Sequence, residues 1–202
     1  MIDYAELIQL APMRDSYESI VGFLVAELPH VWFEEYASVS ARPTNVVRLT
    51  LGGFNYLFDL YTEFEVKGVI NEDAGKESRL VAVFGQSAAK AGNRESSRLR
   101  GWIGPTAMYL GNDWDKGHFI AHAMGGGVDG AEINLFVQRR NLNRGWSAPG
   151  KMFRSMEVYA AKRPGTFCFH RPLYADGTSR PSQFEFGVLK ADGALWVETF
   201  DN

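Results

Sequence analysis

Asp115-Lys116-Gly117-His118-Phe119-Ile120-Ala121-His122 begins the stretch that decides how this chain is read. Gly125-Gly126-Gly127 follows, then Ile133-Asn134-Leu135-Phe136-Val137-Gln138, then Asn141-Leu142-Asn143-Arg144-Gly145, and last Met152-Phe153-Arg154-Ser155-Met156-Glu157. Apolar runs on either side of a glycine-rich break predict a strand, a loop and a second strand. A helix over Met152–Lys162 closes the unit. Pro149 suits an early helical position, and Pro164-Gly165 ends the segment. Ser147-Ala148-Pro149-Gly150 is expected to interrupt any helix running from Asn143 to Glu157.

Outward from this stretch the pattern is simpler. Val47, Leu49 and Leu51 alternate with Arg48 and Thr50, and Gly52-Gly53 breaks the run. Phe54, Tyr56, Phe58 and Leu60 resume it, followed by Phe64 and Val66. Period two marks strands, antiparallel because no helix-length crossover separates them. Leu80–Phe84 reads as another strand. Residues 87–97 read as a polar loop or short exposed helix, and 102–110 lead into the motif. Downstream, Thr166–Tyr174, Phe184–Leu189 and Ala194–Phe200 read as strands, the last two joined by the turn Lys190-Ala191-Asp192-Gly193. Roughly the first 37 residues read as helical, with Tyr17, Ile20, Val21, Leu24 and Leu28 on one face and Pro12 and Pro29 as punctuation. The connector around Pro43 separates a helical extension over 1–40 from a domain over 41–202. The fold class is α+β.

Charge is unevenly distributed. The net formal charge of −3 over 202 residues argues against a polyanionic partner, yet the segment from Asp115 to Arg171 holds nine Lys/Arg and four Asp/Glu. That is +5 in the segment and −8 in the remainder, and local charge decides which face meets phosphate. A solvated basic helix face would give the same count. Cys168 is the lone cysteine, so no internal disulfide forms. No run of 18 apolar residues and no signal-peptide pattern is visible, so no membrane span is expected. The expected location is cytoplasmic, or exported without a cleavable signal.

The residue types in the central stretch suit one chemistry. Histidine takes a proton from water near neutrality. Amide and carboxylate oxygens suit a hard cation that keeps several waters. Arginine and lysine suit phosphate oxygens. Together they describe phosphodiester hydrolysis.

The same residues resemble a known family. Asp115-x-Gly117-His118, Ile133-Asn134-Leu135-x-x-Gln138, Leu142-Asn143-Arg144-Gly145 and an aromatic four residues before Glu157 are similar to the DNA/RNA non-specific endonucleases of the ββα-metal, or His-Me finger, class. The glycine-rich variant resembles nuclease domains of bacterial polymorphic toxins. The resemblance implies a ββα-metal core and a catalytic set of His118, Asn134, Glu157 and Asp115. His118 would be the general base and Asn143 the ligand of Mg²⁺ or Mn²⁺. Asn134 would hold the junction or the phosphate, Glu157 would orient metal-bound water, and Asp115 would fix local geometry. Lys116, Arg139, Arg140 and Arg144 would bind substrate. DNA or RNA is the implied partner, cut with little sequence preference, and an inhibitor or immunity protein is implied by the toxin likeness. Three departures stand out: Lys116 where the family often has Arg, Val137 before Gln138 where it often has Pro, and extra residues between Asn143 and Glu157.

Other readings of these residues stay open. His122 would share a strand face with His118, as a supporting or a packed residue. His118-x-x-x-His122 mimics a zinc pair, but the peptidase motif needs Glu where Phe119 stands. Asn141 is an alternative ligand, or a helix cap. Trp146 and Phe153 are candidates for base stacking, with core packing favoured for Phe153. His30 and His170 show no partner in the sequence. A catalytically inactive nucleic-acid-binding or interaction module on the same fold is the rival reading.

Overall fold

A computed structural model describes residues 2–40, 44–60, 78–90, 111–127 and 132–202. The strand continuation at Phe64 and Val66, most of the 41–44 connector, the 102–110 lead-in and most of the polar 87–97 stretch lie outside these residues.

Two helices open the chain, α1 (Tyr4–Gln9) and α2 (Tyr17–Val39). Asp3 and Ser16 cap them by accepting the backbone N–H of Glu6 and Ser19. Ile20, Val21, Leu24, Leu28, Trp32 and Tyr36 line the buried face of α2 at helical spacing. Pro29 does not punctuate this helix as the sequence suggests. It sits inside α2, where packing on either side holds the helix through the lost hydrogen bond.

Six antiparallel strands form one sheet in the order β1-β2-β3-β6-β7-β8. They are β1 (Val46–Leu51), β2 (Phe54–Asp59), β3 (Arg79–Gln86), β6 (Phe167–Leu173), β7 (Gln183–Leu189) and β8 (Leu195–Asp201). A separate antiparallel pair, β4 (Trp114–His118) and β5 (Leu135–Arg139), is inserted between β3 and β6. A short helix α3 (Arg140–Asn143) follows β5, then α4 (Ala148–Ala161). The molecule is therefore α+β with antiparallel pairing throughout the described strands.

The pleat divides the large sheet between two cores. Phe84, Phe167 and Phe169 face α2, packing with Trp32 and Leu28. Phe54, Tyr56, Cys168, Phe184 and Phe186 face the other way, packing with Phe153 and Met156 of α4, Phe136 of β5 and Phe119 just beyond β4. A buried polar network ties the N-terminal helices to their face. Arg171 meets Glu185 at 2.9 Å and Glu35 of α2 at 2.7 Å, and the Tyr4 hydroxyl donates to Glu185. Arg79 donates to the Tyr36 hydroxyl, which donates to buried Asp59. No described helix is long and apolar enough to cross a membrane.

Candidate functional site

β4 and β5 pair from Trp114↔Arg139 to His118↔Leu135. Alternation puts Trp114, Lys116 and His118 on one face of the pair, with Val137 and Arg139. Asp115 and Gly117 take the other face with the buried Phe136 and Gln138. Gly117 is required by close approach, because the Gln138 side chain lies where a Cβ would stand.

Asp115 is the hub of the inward face. Its Oδ1 accepts from Arg140 Nε at 3.0 Å and its Oδ2 from Arg144 Nε at 2.7 Å. Asn143 Nδ2 donates to the same Oδ2 at 3.3 Å. Partial burial works against ionisation of Asp115. The hydrogen bonds from Arg144, Asn143 and Arg140 outweigh it and hold the carboxyl below the usual carboxylate range. Three sequence-predicted residues thus converge on a fourth. Arg140 and Arg144, read from sequence as phosphate contacts, have donors engaged by Asp115, with Arg144 the more exposed. Lys116 lies on the opposite face, where burial lowers its pKa.

The Asn143 amide nitrogen is tied to Asp115, so its oxygen is the end left for a ligand. Among the described residues no group of three or more His, Cys, Asp or Glu gathers as a metal cage. One amide oxygen beside an anchored carboxylate suits a hard cation that keeps most of its waters, such as Mg²⁺. Asn141 is exposed, and its carbonyl, not its side chain, accepts from Trp146 N.

His118 closes β4. The loop beyond it does not continue the strand, so His122 does not share a strand face with His118 as expected. It opens a 3-10 turn, His122–Met124. Asn134 is the reason. Fully buried, it accepts from Ile120 N and donates to Ile120 O and Gly127 O, each at 2.9 Å. Both ends of its amide hold the loop.

No hydrogen bond or ion pair among the described residues joins Glu157 to the Asp115 cluster, although Arg154, which pulls on its carboxyl, donates to Arg144 O at 3.2 Å. The expected break between Glu157 and Asn143 is present, displaced toward the N-terminus of the predicted position. Gly145 turns with φ 68° and Ser147 caps α4 through Gly150 N. Ala148, Pro149 and Gly150 form the first turn of α4. Burial raises the Glu157 carboxyl to about 7, with Arg154 pulling only partly back. The carboxyl is close enough to buried Cys168 that it helps push the thiol up, after burial itself. Phe153 is core, ringed by Phe184, Phe186 and Phe200. Trp146 is exposed, with Arg144 over its ring.

The comparisons with known proteins add little. No protein-family model and no curated protein matches the chain. Among the solved structures, the Sda1 nuclease with a bound zinc ion is similar at a TM-score of 0.38 and 16% identity, over 78% of this chain and 74% of that one. A likeness that loose assigns neither fold nor activity, and the functional case rests on the residues.

Two residues given no role in the sequence reading matter here. His170, fully buried among five phenylalanines, puts its Nδ1 2.9 Å from the Phe119 carbonyl, directly beyond His118. Burial lowers its pKa to about 3, so the ring is neutral and Nδ1–H donates. Gln138 is fully buried, and neither amide atom has a partner among the described residues. Only its place in the Ile-Asn-Leu-x-x-Gln run could have flagged it.

Proposed function

We propose that this protein is a metal-dependent endonuclease that hydrolyses phosphodiester bonds of DNA or RNA with little sequence preference. The observation that carries the reading is the Asp115 hub. Asp115, on the strand that ends in His118, holds the Asn143 amide by its nitrogen and leaves the oxygen for a ligand. His118 takes the proton from the attacking water. Asn143 would hold Mg²⁺ or Mn²⁺, which would supply positive charge against the charge that builds up on phosphodiester hydrolysis. Asp115 fixes the Asn143 amide. Asn134 and His170 fix the backbone on the far side of His118, through Ile120 and Phe119. Glu157 is the second acid of the set, and its raised pKa suits a group that exchanges a proton with solvent near neutrality. The motif order and the ββα-metal resemblance support the same roles.

The rival reading, a binding module without catalysis, is favoured by one observation. The break after Asn143 separates it from Glu157, whose carboxyl hydrogen-bonds to no described residue. Digestion of plasmid DNA and RNA by the pure protein distinguishes the two. Cleavage should need Mg²⁺ or Mn²⁺, stop with chelator, and fall by about 10²–10⁴ in His118→Ala at unchanged fold. Wild-type-like turnover in that variant would remove His118 from the mechanism. Binding without cleavage under all metal conditions would favour the module. Toxin use and an immunity partner belong to the same proposal and rest on the family resemblance alone.

A further inference from the structure

The outward face of the β4–β5 pair carries a basic feature that the motif does not contain. Arg139 of β5 and Arg180, from the connection between β6 and β7, both place their guanidinium groups over the ring of Trp114, at 4.4 and 5.2 Å from its centroid. Neither side chain forms an ion pair or hydrogen bond with a described residue, unlike Arg140 and Arg144 on Asp115. A guanidinium stacked on a ring is held by its flat face, and its N–H groups, which lie in its plane, remain available. Two like charges beside one ring favour an anion between or across them, the nearby Asp176 carboxylate offsetting part of the Arg180 charge.

The geometry is built, not incidental. Asn202 Nδ2 donates to Val137 O of β5 and to Pro181 O, each at 2.9 Å, and its Oδ1 accepts from Arg139 N at 2.9 Å. This single side chain fastens the β4–β5 pair to the segment bearing Arg180. The segment is further fixed by Asp176, which accepts from Thr178 N and Oγ1, and by Arg79, which donates to Asp176 O. Trp114, Lys116 and His118 then fall on one face at alternate positions. At about 3.4 Å per residue, the stack lies about 14 Å along the strand from His118.

We propose that the Arg139–Trp114–Arg180 stack is a substrate subsite that grips the backbone phosphates of a nucleic-acid strand a few nucleotides from the bond cut at His118. This rests on the nuclease reading and assigns the path of its substrate. Arg180 and Trp114 are its new members. The strand enters over the stack, passes Lys116, and presents the scissile phosphate at the end of β4.

The test measures binding of labelled single-stranded DNA and RNA of about twelve nucleotides, in chelator, at several salt concentrations. Arg139→Gln and Arg180→Gln should each weaken binding about tenfold at low salt and flatten the salt slope by about one unit. Arg14→Gln, the same charge change on an exposed residue between α1 and α2, should leave both unchanged. Arg180→Lys keeps the charge without the planar fork and should fall between the parent and Arg180→Gln. Melting curves confirm that each variant is folded. If the parent binds and cleaves while Arg139→Gln and Arg180→Gln behave like it, or Arg14→Gln weakens binding equally, the subsite is wrong and the nuclease reading stands. If the parent binds no oligonucleotide and cleaves none with Mg²⁺ or Mn²⁺, both fall together.

Discussion

At the scale of single residues, Glu157 and Asn143 give the sharpest expectations. The Glu157 carboxyl titrates near 7 in the folded protein against an ordinary value of 4.5. Between those values the folded chain keeps a proton that the unfolded chain releases. Stability therefore falls as pH rises from about 4.5 to about 7, and the full cost stands above 7. Glu157→Gln removes that cost and should stabilise the protein by about 1–3 kcal/mol at pH 8 relative to its effect at pH 4.5. Melting temperatures at the two pH values measure it, and a pH-independent difference would mean that the carboxyl is not desolvated. For the metal, Asn143→Ala should raise the Mg²⁺ concentration needed for half-maximal cleavage, and Asn141→Ala should not. The opposite result would move the ligand to Asn141. The Leu142-Asn143-Arg144-Gly145 run that proposes Asn143 as ligand was visible in the sequence, since it is a matter of local order. The engagement of Arg140 and Arg144 by Asp115 was not, because a count of charges is the same whether an arginine faces solvent or a carboxylate. Gln138 was equally hidden. Its burial depends on Gly117 lying diagonally across the β4–β5 pair, and no spacing along the chain reveals that.

At the scale of elements, alternation and helix punctuation carried the reading where each residue's environment follows from its own strand or helix. β1, β2, β6, β7 and β8 fall where period two places them, while α4 starts four residues before its expected start at Met152, with Pro149 in its first turn. Reading failed where a distant side chain ends an element. β4 stops at His118 because Asn134 clasps the loop from another segment, and that turned His122 away from its expected place. α3 and α4 meet through Gly150. A Cβ there would stand 2.6 Å from Asn141 O and 2.8 Å from Leu142 O, backbone atoms that can retreat only if the two helices separate. Gly150→Ala should therefore cost about 1–3 kcal/mol, a drop of roughly 2–10 °C in Tm. It should also weaken Mg²⁺ dependence, because α3 carries Asn143. A variant that loses stability but keeps its metal response would show that α3 moves without disturbing the ligand.

At the scale of the whole molecule, one sheet separates two interiors. The aromatic and helical interior on the α2 side contains Trp32, Phe84 and Phe169, and none of the proposed catalytic residues. Leu24→Ala, at a fully buried α2 position, should destabilise by about 2–5 kcal/mol. Below the melting range kcat and KM should stay close to the parent's, and a changed KM at unchanged folding would show that the two faces communicate. The division was partly legible: β6 reads Phe167-Cys168-Phe169-His170, and its alternation sends phenylalanine one way and Cys168 and His170 the other. What could not be read was that His170, on the side away from α2, reaches the carbonyl beyond His118. The same division bears on engineering. Enzymes commonly lose activity when made more robust, because the changes stiffen or reshape the groups that react. Here a hardened scaffold can be sought by redesigning α2 and the strand positions facing it. Changes separated by the thickness of a sheet combine close to additively, so thermal endurance and turnover can be selected in separate libraries and then joined.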